Sequence, residues 1–314
     1  MKKETKFLIC LVCVFLFTPY LNSGTGRSGG YFLRIIQSPR AQAIGESGTA
    51  LYGNLLQSLN LNPSGICLSN EKFSLSYSMY IEDISISNFG YVIPLKNNDA
   101  LGIGGSLFMI KPFESYDNED NYLGKIDSKS FFVSIYYSAP IYNEANDTSG
   151  LFAGGGIKYA REVLDNVGGG GLLFDISTLY LKEIGENEKF GIGLSLQSIG
   201  NGFTFDFDRV PPPTIYRVGV SYIINLYPND TVSLAFDIRK PNDNDIKYSG
   251  GMEYLFKNFM YARIGFVDGI DLGNGLRFGI GFNLKDISID YALASYGRFG
   301  FSHNIGLSYK FGKR

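Results

Sequence analysis

From Phe73 to the C-terminus the chain repeats a single pattern, bulky apolar residues alternating with small or polar ones, and this pattern limits the fold more than any other feature. Phe73, Leu75, Tyr77 and Met79 alternate with Ser74, Ser76 and Ser78; Leu276, Phe278, Ile280, Phe282 and Leu284 alternate with Arg277, Gly279, Gly281 and Asn283. Near the end, Phe301, His303, Ile305, Leu307, Tyr309 and Phe311 alternate with Ser302, Asn304, Gly306, Ser308 and Lys310. Period 2 means extended strands with two unlike faces. About fourteen such segments are read, near 73–80, 83–93, 100–110, 130–139, 150–161, 170–181, 189–199, 214–225, 231–239, 246–256, 258–267, 275–284, 286–295 and 300–311. Turn signals separate them: KNND from Lys96, NEANDTSG from Asn143, GENE from Gly185, YPND from Tyr227 and PNDND from Pro241.

The chemistry of the second face decides what solvates the first. A soluble sandwich turns its polar face to water and carries many Lys and Glu residues there, whereas here that face is mostly Gly, Ser, Ala and Asn. Small residues suit a crowded barrel interior, while Phe, Tyr, Leu and Ile can face lipid with aromatics near the interfaces. Segments of about ten residues, tilted as barrel strands are, cross an apolar band of roughly 25 Å. Closure also removes the unpaired strand edges that hydrocarbon does not tolerate. The expected fold is therefore all-β, a transmembrane antiparallel β-barrel of about fourteen strands over 73–314, with outer-membrane lipid as its surroundings. Short turns alternate with longer links at Lys111 to Lys129 and Gly200 to Pro213, as periplasmic turns alternate with outer loops.

Composition agrees and narrows the function. The 314 residues include 39 Gly, 22 Tyr and 25 Phe against one His and no Trp, as aromatic-rich, close-packed strands require. A net charge of -2 without a Lys/Arg cluster excludes a nucleic-acid partner. Residues 1–26 read as an export signal: Lys2, Lys3 and Lys6 precede an apolar run from Phe7 to Phe17, too short to span a bilayer, followed by Pro19 and small residues. The expected location is the bacterial outer membrane. Cys10 and Cys13 leave with that peptide, so Cys67 stands alone and forms neither a disulfide nor a metal cluster.

Residues 27–72 lack strand periodicity and read as a plug inside the barrel or a periplasmic cap. Here FLRI from Phe32, SPRAQAIGESGTAL from Ser38 and LNPSGI from Leu61 resemble the N-terminal signature of the PorV/PorQ group, itself FadL-like. DYALASYGRFGFSHNIGLSYKFG from Asp290 is similar to that group's closing hairpin. Ser64 stands where Ala is usual, and Gly45-Glu46-Ser47-Gly48 departs from a more Gly/Ala-rich version. The resemblance implies a fourteen-stranded barrel with an N-terminal hatch in its lumen, Asn62, Pro63, Ser64 and Gly65 forming the hatch turn. It also implies passive passage of a hydrophobic small molecule such as a long-chain fatty acid, with sideways exit through a gap in the wall. The alternative function it offers is a docking component of a type IX secretion machine, with secretion-system proteins as partners.

Individual residues refine these expectations. Lys158, Arg217, Arg263 and Arg277 fall on the small-residue face, so they point into the lumen, where they either grip a ligand carboxylate or pair with inward Asp175, Asp237, Glu253 and Asp290. Pairing is the favoured reading. Ile84 and Ile86 lie in one phase and Phe89, Tyr91 and Ile93 in the other, which points to a strand bulge near Asn88 to Gly90. His303 next to Ser302 makes no catalytic pair, because neighbouring strand residues face opposite ways. The chain reads as a non-enzyme without cofactor or metal. The acidic stretch Tyr116 to Asp120 lacks an EF-hand spacing and reads as a solvated loop; Gly168 to Gly171 is no phosphate loop, for it lacks a following Lys-Ser/Thr and opens a strand rather than a helix, and Pro211 to Pro213 stiffens a loop.

Overall fold

The computed structural model describes residues 27–143, 148–165, 167–205, 208–226, 228–269 and 273–310. The export signal at 1–26, Phe311, and parts of the turns at Asn143 and Tyr227 lie outside the described residues. Sixteen strands follow in order: β1 (Phe73–Met79), β2 (Ile84–Pro94), β3 (Ala100–Tyr116), β4 (Tyr122–Asn143), β5 (Gly150–Leu164), β6 (Val167–Glu183), β7 (Glu188–Gly200), β8 (Phe203–Phe205), β9 (Asp208–Val210), β10 (Ile215–Leu226), β11 (Asp230–Pro241), β12 (Lys247–Phe256), β13 (Met260–Val267), β14 (Leu276–Leu284), β15 (Ile287–Ser295) and β16 (Phe301–Tyr309). All but β8 and β9 form one closed antiparallel ring, a fourteen-stranded barrel in which β7 pairs with β10 and β1 pairs with β16. Both chain ends of the ring lie on the side of the short turns, the periplasmic side in barrels of this kind.

Burial follows the alternation. In β1, Ser74, Ser76 and Ser78 are buried while Phe73, Leu75, Tyr77 and Met79 are exposed, and in β16 Ser302, Asn304 and Ser308 are buried while Ile305 and Leu307 are half exposed. The apolar face is thus outside and the small face inside. No helix among the described residues is long and apolar enough to cross a membrane.

Residues 27–72 run through the ring. This segment enters at the outer end, where the Gly29 amide donates to the Pro211 carbonyl and the Gly30 amide to Glu162. It then forms a 3-10 turn (Tyr31–Arg34), α1 (Pro39–Ala43), α2 (Leu55–Leu61) and a second 3-10 turn (Pro63–Leu68) before β1. Each helix begins at a side-chain cap. Ser38 accepts from the Ala41 amide before Pro39 sets the first helical φ, and Asn54 accepts from the Gln57 amide. Glu71 receives the Leu55 amide at 2.8 Å, Asn54 Nδ2 at 2.9 Å and the Ser74 hydroxyl at 3.0 Å, which ties α2 to the first strand. In the periplasmic half, Leu55, Leu59 and Ile66 pack against Val92, Tyr136, Phe152 and Leu179 of the wall.

These contacts explain the small inner face. A Cβ on Gly251 would lie 2.5 Å from the Ile44 carbonyl oxygen, and a Cβ on Gly265, Gly193 or Gly154 would collide with the backbone of Gly45, Thr49 or Ser64. The wall is glycine where the inner segment lays its main chain against it. Gly265→Val is expected to cost at least about 1–3 kcal/mol by overpacking, read as a lower unfolding midpoint in detergent together with new protease cleavage within 40–50.

Three local readings change. β2 carries no bulge near Asn88: it pairs without a register shift to β1 and β3, and Ile84, Ile86 and Asn88 all point inward. The phase confusion arises because Ile84 and Ile86 are apolar residues on the lumen side, packed near Phe32 and Phe108. Asn88 shares that face and donates to Ser76, whose hydroxyl donates in turn to the Gln37 carbonyl; Asn304 of the last strand donates to the same carbonyl. The link from Lys111 to Lys129 is largely strand, since β3 and β4 continue as a hairpin projecting at the outer end with Asp117 to Asn121 at its tip. The link after Gly200 contains β8 and β9, which pair with each other and with β6.

Candidate functional site

The turn at 62–65, expected from the resemblance as a hatch turn, sits low in the barrel and is bonded to the wall. Asn62, Pro63, Ser64 and Gly65 are all buried. Asn62 Nδ2 donates to the carbonyls of Thr49 at 2.7 Å and Thr178 at 3.0 Å, while its Oδ1 accepts from the Ser64 amide at 3.2 Å and from the Ser64 hydroxyl. The Ser64 amide also reaches the Ser177 hydroxyl at 2.9 Å, the Ser138 hydroxyl donates to the Ser64 carbonyl at 2.9 Å, and the Gly65 amide closes the turn on Asn62. Asn supplies a donor and an acceptor from one short side chain, which lets it cap this turn and join a carbonyl of the inner segment to one of β6.

The four inward cations fall into two groups. Lys158 lies 3.0 Å from Asp175, which also receives the Tyr136 hydroxyl at 2.6 Å and the Ser198 amide at 2.7 Å. Arg263 bridges Glu253 at 2.6 Å and Asp290 at 2.5 Å, and Arg40 of α1 holds the other side of Glu253 at 2.7 and 2.9 Å. Both cations are satisfied within the protein. Arg217 and Arg277 differ: Arg217 Nε donates to Gln197 at 3.2 Å with Nη1 unbonded, and Arg277 leaves Nε and Nη2 without a hydrogen-bond acceptor. Asp237, on the same face, is taken by the amides of Gly48 and Thr49 and the Thr49 hydroxyl.

Above this level the lumen divides into two unlike halves. On the side of β2 to β6, Phe32, Ile86, Phe108, Leu173 and Phe203 form a buried apolar cluster, flanked by Ile84, Phe132 and Tyr80. Beside it lies a cavity of about 140 Å³ lined by Arg34, Arg239, Lys247 and Arg277, with Glu46 its one acidic lining residue among those described. Ile35 and Tyr80 border both. Arg34 pairs with buried Asp243, Arg239 lies 3.0 Å from Glu46, and Arg277 stacks on the Tyr296 ring at 4.8 Å. Burial works against the Glu46 charge, yet the guanidinium groups of Arg239 and Arg277 outweigh it and hold this hatch carboxyl below the ordinary carboxylate range.

Below it, a smaller cavity of about 20 Å³ touches Gln197 and Arg217, separated from the first by Ile35 and Ile36. A third, polar cavity of about 100 Å³ opens at the periplasmic side near Asn54, Glu71, Asn283 and Lys310. Between them stand Gln37, α1 and the Arg40–Glu253–Arg263–Asp290 network.

Arg34 and Glu46 come from the hatch, where no periodicity marks which side chains point where. Arg239 was legible, for it shares the phase of inward Asp237, and Lys247 shares the phase of inward Ser249 and Glu253. His303 is on the outer face, where its Nδ1 meets the Tyr291 hydroxyl at 2.7 Å, while Ser302 faces the lumen. No group of three or more metal-ligating residues occurs among the described residues. Pro211 and Pro212 accept from Gly29 and Asn242, so the proline loop anchors the start of the hatch.

No protein-family model matches the chain, and no curated protein matches its sequence. Solved structures do match its fold. The deltaS2S3 mutant of the monoaromatic hydrocarbon channel TodX superposes with a TM-score of 0.58 at 10% identity, covering 87% of this chain and 99% of that one. The Ralstonia pickettii toluene transporter TbuX gives 0.57 at 12% identity, covering 88% and 98%. A FadL homologue from Pseudomonas aeruginosa gives 0.50 at 8%, covering 88% and 98%. The barrel thus has the fold of bacterial outer-membrane proteins, and two of those neighbours are a monoaromatic hydrocarbon channel and a toluene transporter.

Proposed function

We propose that this protein is a passive outer-membrane barrel for the uptake of hydrophobic molecules such as long-chain fatty acids, gated by its N-terminal hatch. The observation that carries the reading is the apolar cluster in the outer half of the lumen. A barrel that admitted only water and ions would line that region with polar side chains, yet here Phe32, Phe108, Phe203, Ile84 and Ile86 gather on the inside. A hydrophobic molecule gains from leaving water at every step onto such a surface, by about 0.8 kcal/mol per buried methylene. No chemistry is needed, since the concentration gradient supplies the direction.

The gate is the pair Ile35 and Ile36, which stands between the outer cavity and the middle one, just before Gln37 is pinned to the wall. Most of the hatch stays in place, because Asn62, Asp237 and Glu253 bond it to the wall on three sides. Movement of the few residues around Ile36 joins the cavities. Toluene transport by TbuX and hydrocarbon passage through TodX are in keeping with this reading.

The test is uptake by cells with and without the protein in their outer membrane. Radiolabelled oleate and toluene are expected to enter at least several-fold faster when the barrel is present, in proportion to ligand concentration. Equal rates with and without it, together with co-purification of secretion-machine components, would replace transport with the docking role.

A further inference from the structure

The outer cavity already holds one carboxylate, and it belongs to the hatch. Glu46 reaches Arg239 Nη1 at 3.0 Å with Oε2, and Arg277 Nη2 only at 3.7 Å with Oε1. It does so from a backbone φ of 59°, a left-handed conformation that a non-glycine residue adopts at some cost. Arg277 is fully buried on β14 and donates through Nη1 to the carbonyls of Leu276 at 3.1 Å and Ser295 at 3.0 Å. Its Nε and Nη2 have no hydrogen-bond acceptor. A buried guanidinium with two unbonded donors is costly, and a carboxylate at 3.7 Å relieves the charge without supplying the bonds.

The surroundings favour an anion with an apolar body. Four cations line the cavity with Glu46 as the one lining carboxylate among the described residues, and buried Asp243 pairs with Arg34, so Arg239, Arg277 and Lys247 face Glu46 in the lining. The apolar cluster adjoins the cavity through Ile35 and Tyr80, so apolar side chains that a tail can displace or pack against lie directly beside the charged ones. The hatch is anchored on either side of Glu46: Gly45 lies against the β12 and β13 backbone, and Gly48 and Thr49 are held by Asp237. Between those anchors lie Glu46 and Ser47, held by bonds within the segment itself, the Glu46 amide to the Ala41 carbonyl at 2.8 Å and the Ser47 hydroxyl to the Ile44 carbonyl.

We propose that Glu46 is a resident stand-in for the anionic head of an incoming amphiphile: a carboxylate entering the outer cavity takes over Arg239 and Arg277, and its exchange for Glu46 releases the 45–47 turn of the hatch. This rests on the transport reading and adds to it a head-group class and a coupling between ligand and hatch. A free carboxylate can approach Arg277 in the two-pronged geometry that the tethered one does not reach. Because the two anions compete for the same cations, ligand binding and Glu46 engagement oppose each other by equal free energies.

The test compares decanoate with decanol, which share a tail and differ in charge, by titration calorimetry on the full chain in non-ionic detergent. Glu46→Gln removes the competitor while keeping its size, and is expected to tighten decanoate about tenfold by lifting a competing state, leaving decanol unchanged. Arg239→Gln is expected to abolish the preference for decanoate. Hydrogen exchange of the 45–47 amides should quicken with decanoate and not with decanol. Unchanged decanoate affinity in E46Q, or equal tightening of decanol, overturns the exchange. If decanol and decanoate bind alike to every version, the exchange falls and the transport reading stands; if neither binds any version, both fall.

Discussion

Replacing Arg263 by alanine is expected to lower the stability of the folded barrel by about 3–5 kcal/mol, the usual cost of leaving one member of a buried ionic network alone. Arg263 holds Glu253 and Asp290 together at 2.6 and 2.5 Å, with all three side chains shielded from solvent. Glu253 would keep Arg40 at 2.7 Å, whereas Asp290 would lose the ion pair it makes with Arg263. The loss should appear as a lower temperature at which the compact form gives way in unboiled gel samples. The double variant Arg263→Leu/Asp290→Leu removes both charges and should recover part of the loss, since apolar replacement of a whole buried pair is often tolerated. Equal destabilisation by the single and double variants would show that packing, and not the stranded carboxylate, sets the cost.

The second large effect concerns the outside. Ile305 lies midway along β16, 53% exposed, beside Tyr77 and Tyr291 of the adjoining strands. Leu123, in the projecting β3–β4 hairpin, is 65% exposed. In a water-soluble protein an arginine at either position would be nearly neutral. With hydrocarbon around the ring the two must part company: Ile305→Arg is expected to cost about 2–4 kcal/mol at mid-membrane, and Leu123→Arg close to nothing. Denaturant titration of both variants refolded into vesicles reads the difference directly. Equal stabilities would mean that Ile305 is bathed in water, and the membrane assignment would go with it.

The fourteen wall strands were legible because one physical constraint, lipid outside and a crowded interior, acts on every one of them and writes period 2 into the sequence. Legibility ends where that constraint ends. Past Ile110 the β3–β4 hairpin has water on both sides, so Lys111, Phe113 and Glu114 keep no alternation and read as a loop, though they are strand. β8 and β9, three residues each, are too short to show any period. Ile84 and Ile86 misled because the reading assumed a non-apolar interior, whereas Phe32 of the hatch gives inward isoleucines something to pack against.

The site was half visible for the same reason. Lys158, Arg217, Arg263 and Arg277 could be turned inward from strand phase alone, but their partners could not all be assigned. Asp175 and Asp290 sit on strands and were anticipated as counter-ions, yet Arg40 and Glu46 come from a segment without periodicity. That Arg217 and Arg277 keep unbonded donors while Lys158 and Arg263 do not is a matter of distances in space.

One main-chain oxygen has a consequence for how such a molecule is made. The Gln37 carbonyl accepts from Ser76 on the first strand and from Asn304 on the last, the two strands whose pairing seals the cylinder. Its hydrogen bonds straddle the weld, so the inner segment ties together the two strands that seal the cylinder; a ring that closed around water alone would forgo both bonds. Assembly in the membrane is therefore expected to favour carrying the N-terminal residues into place before the ends meet, as a cooper shapes the last stave to a cask that is already full.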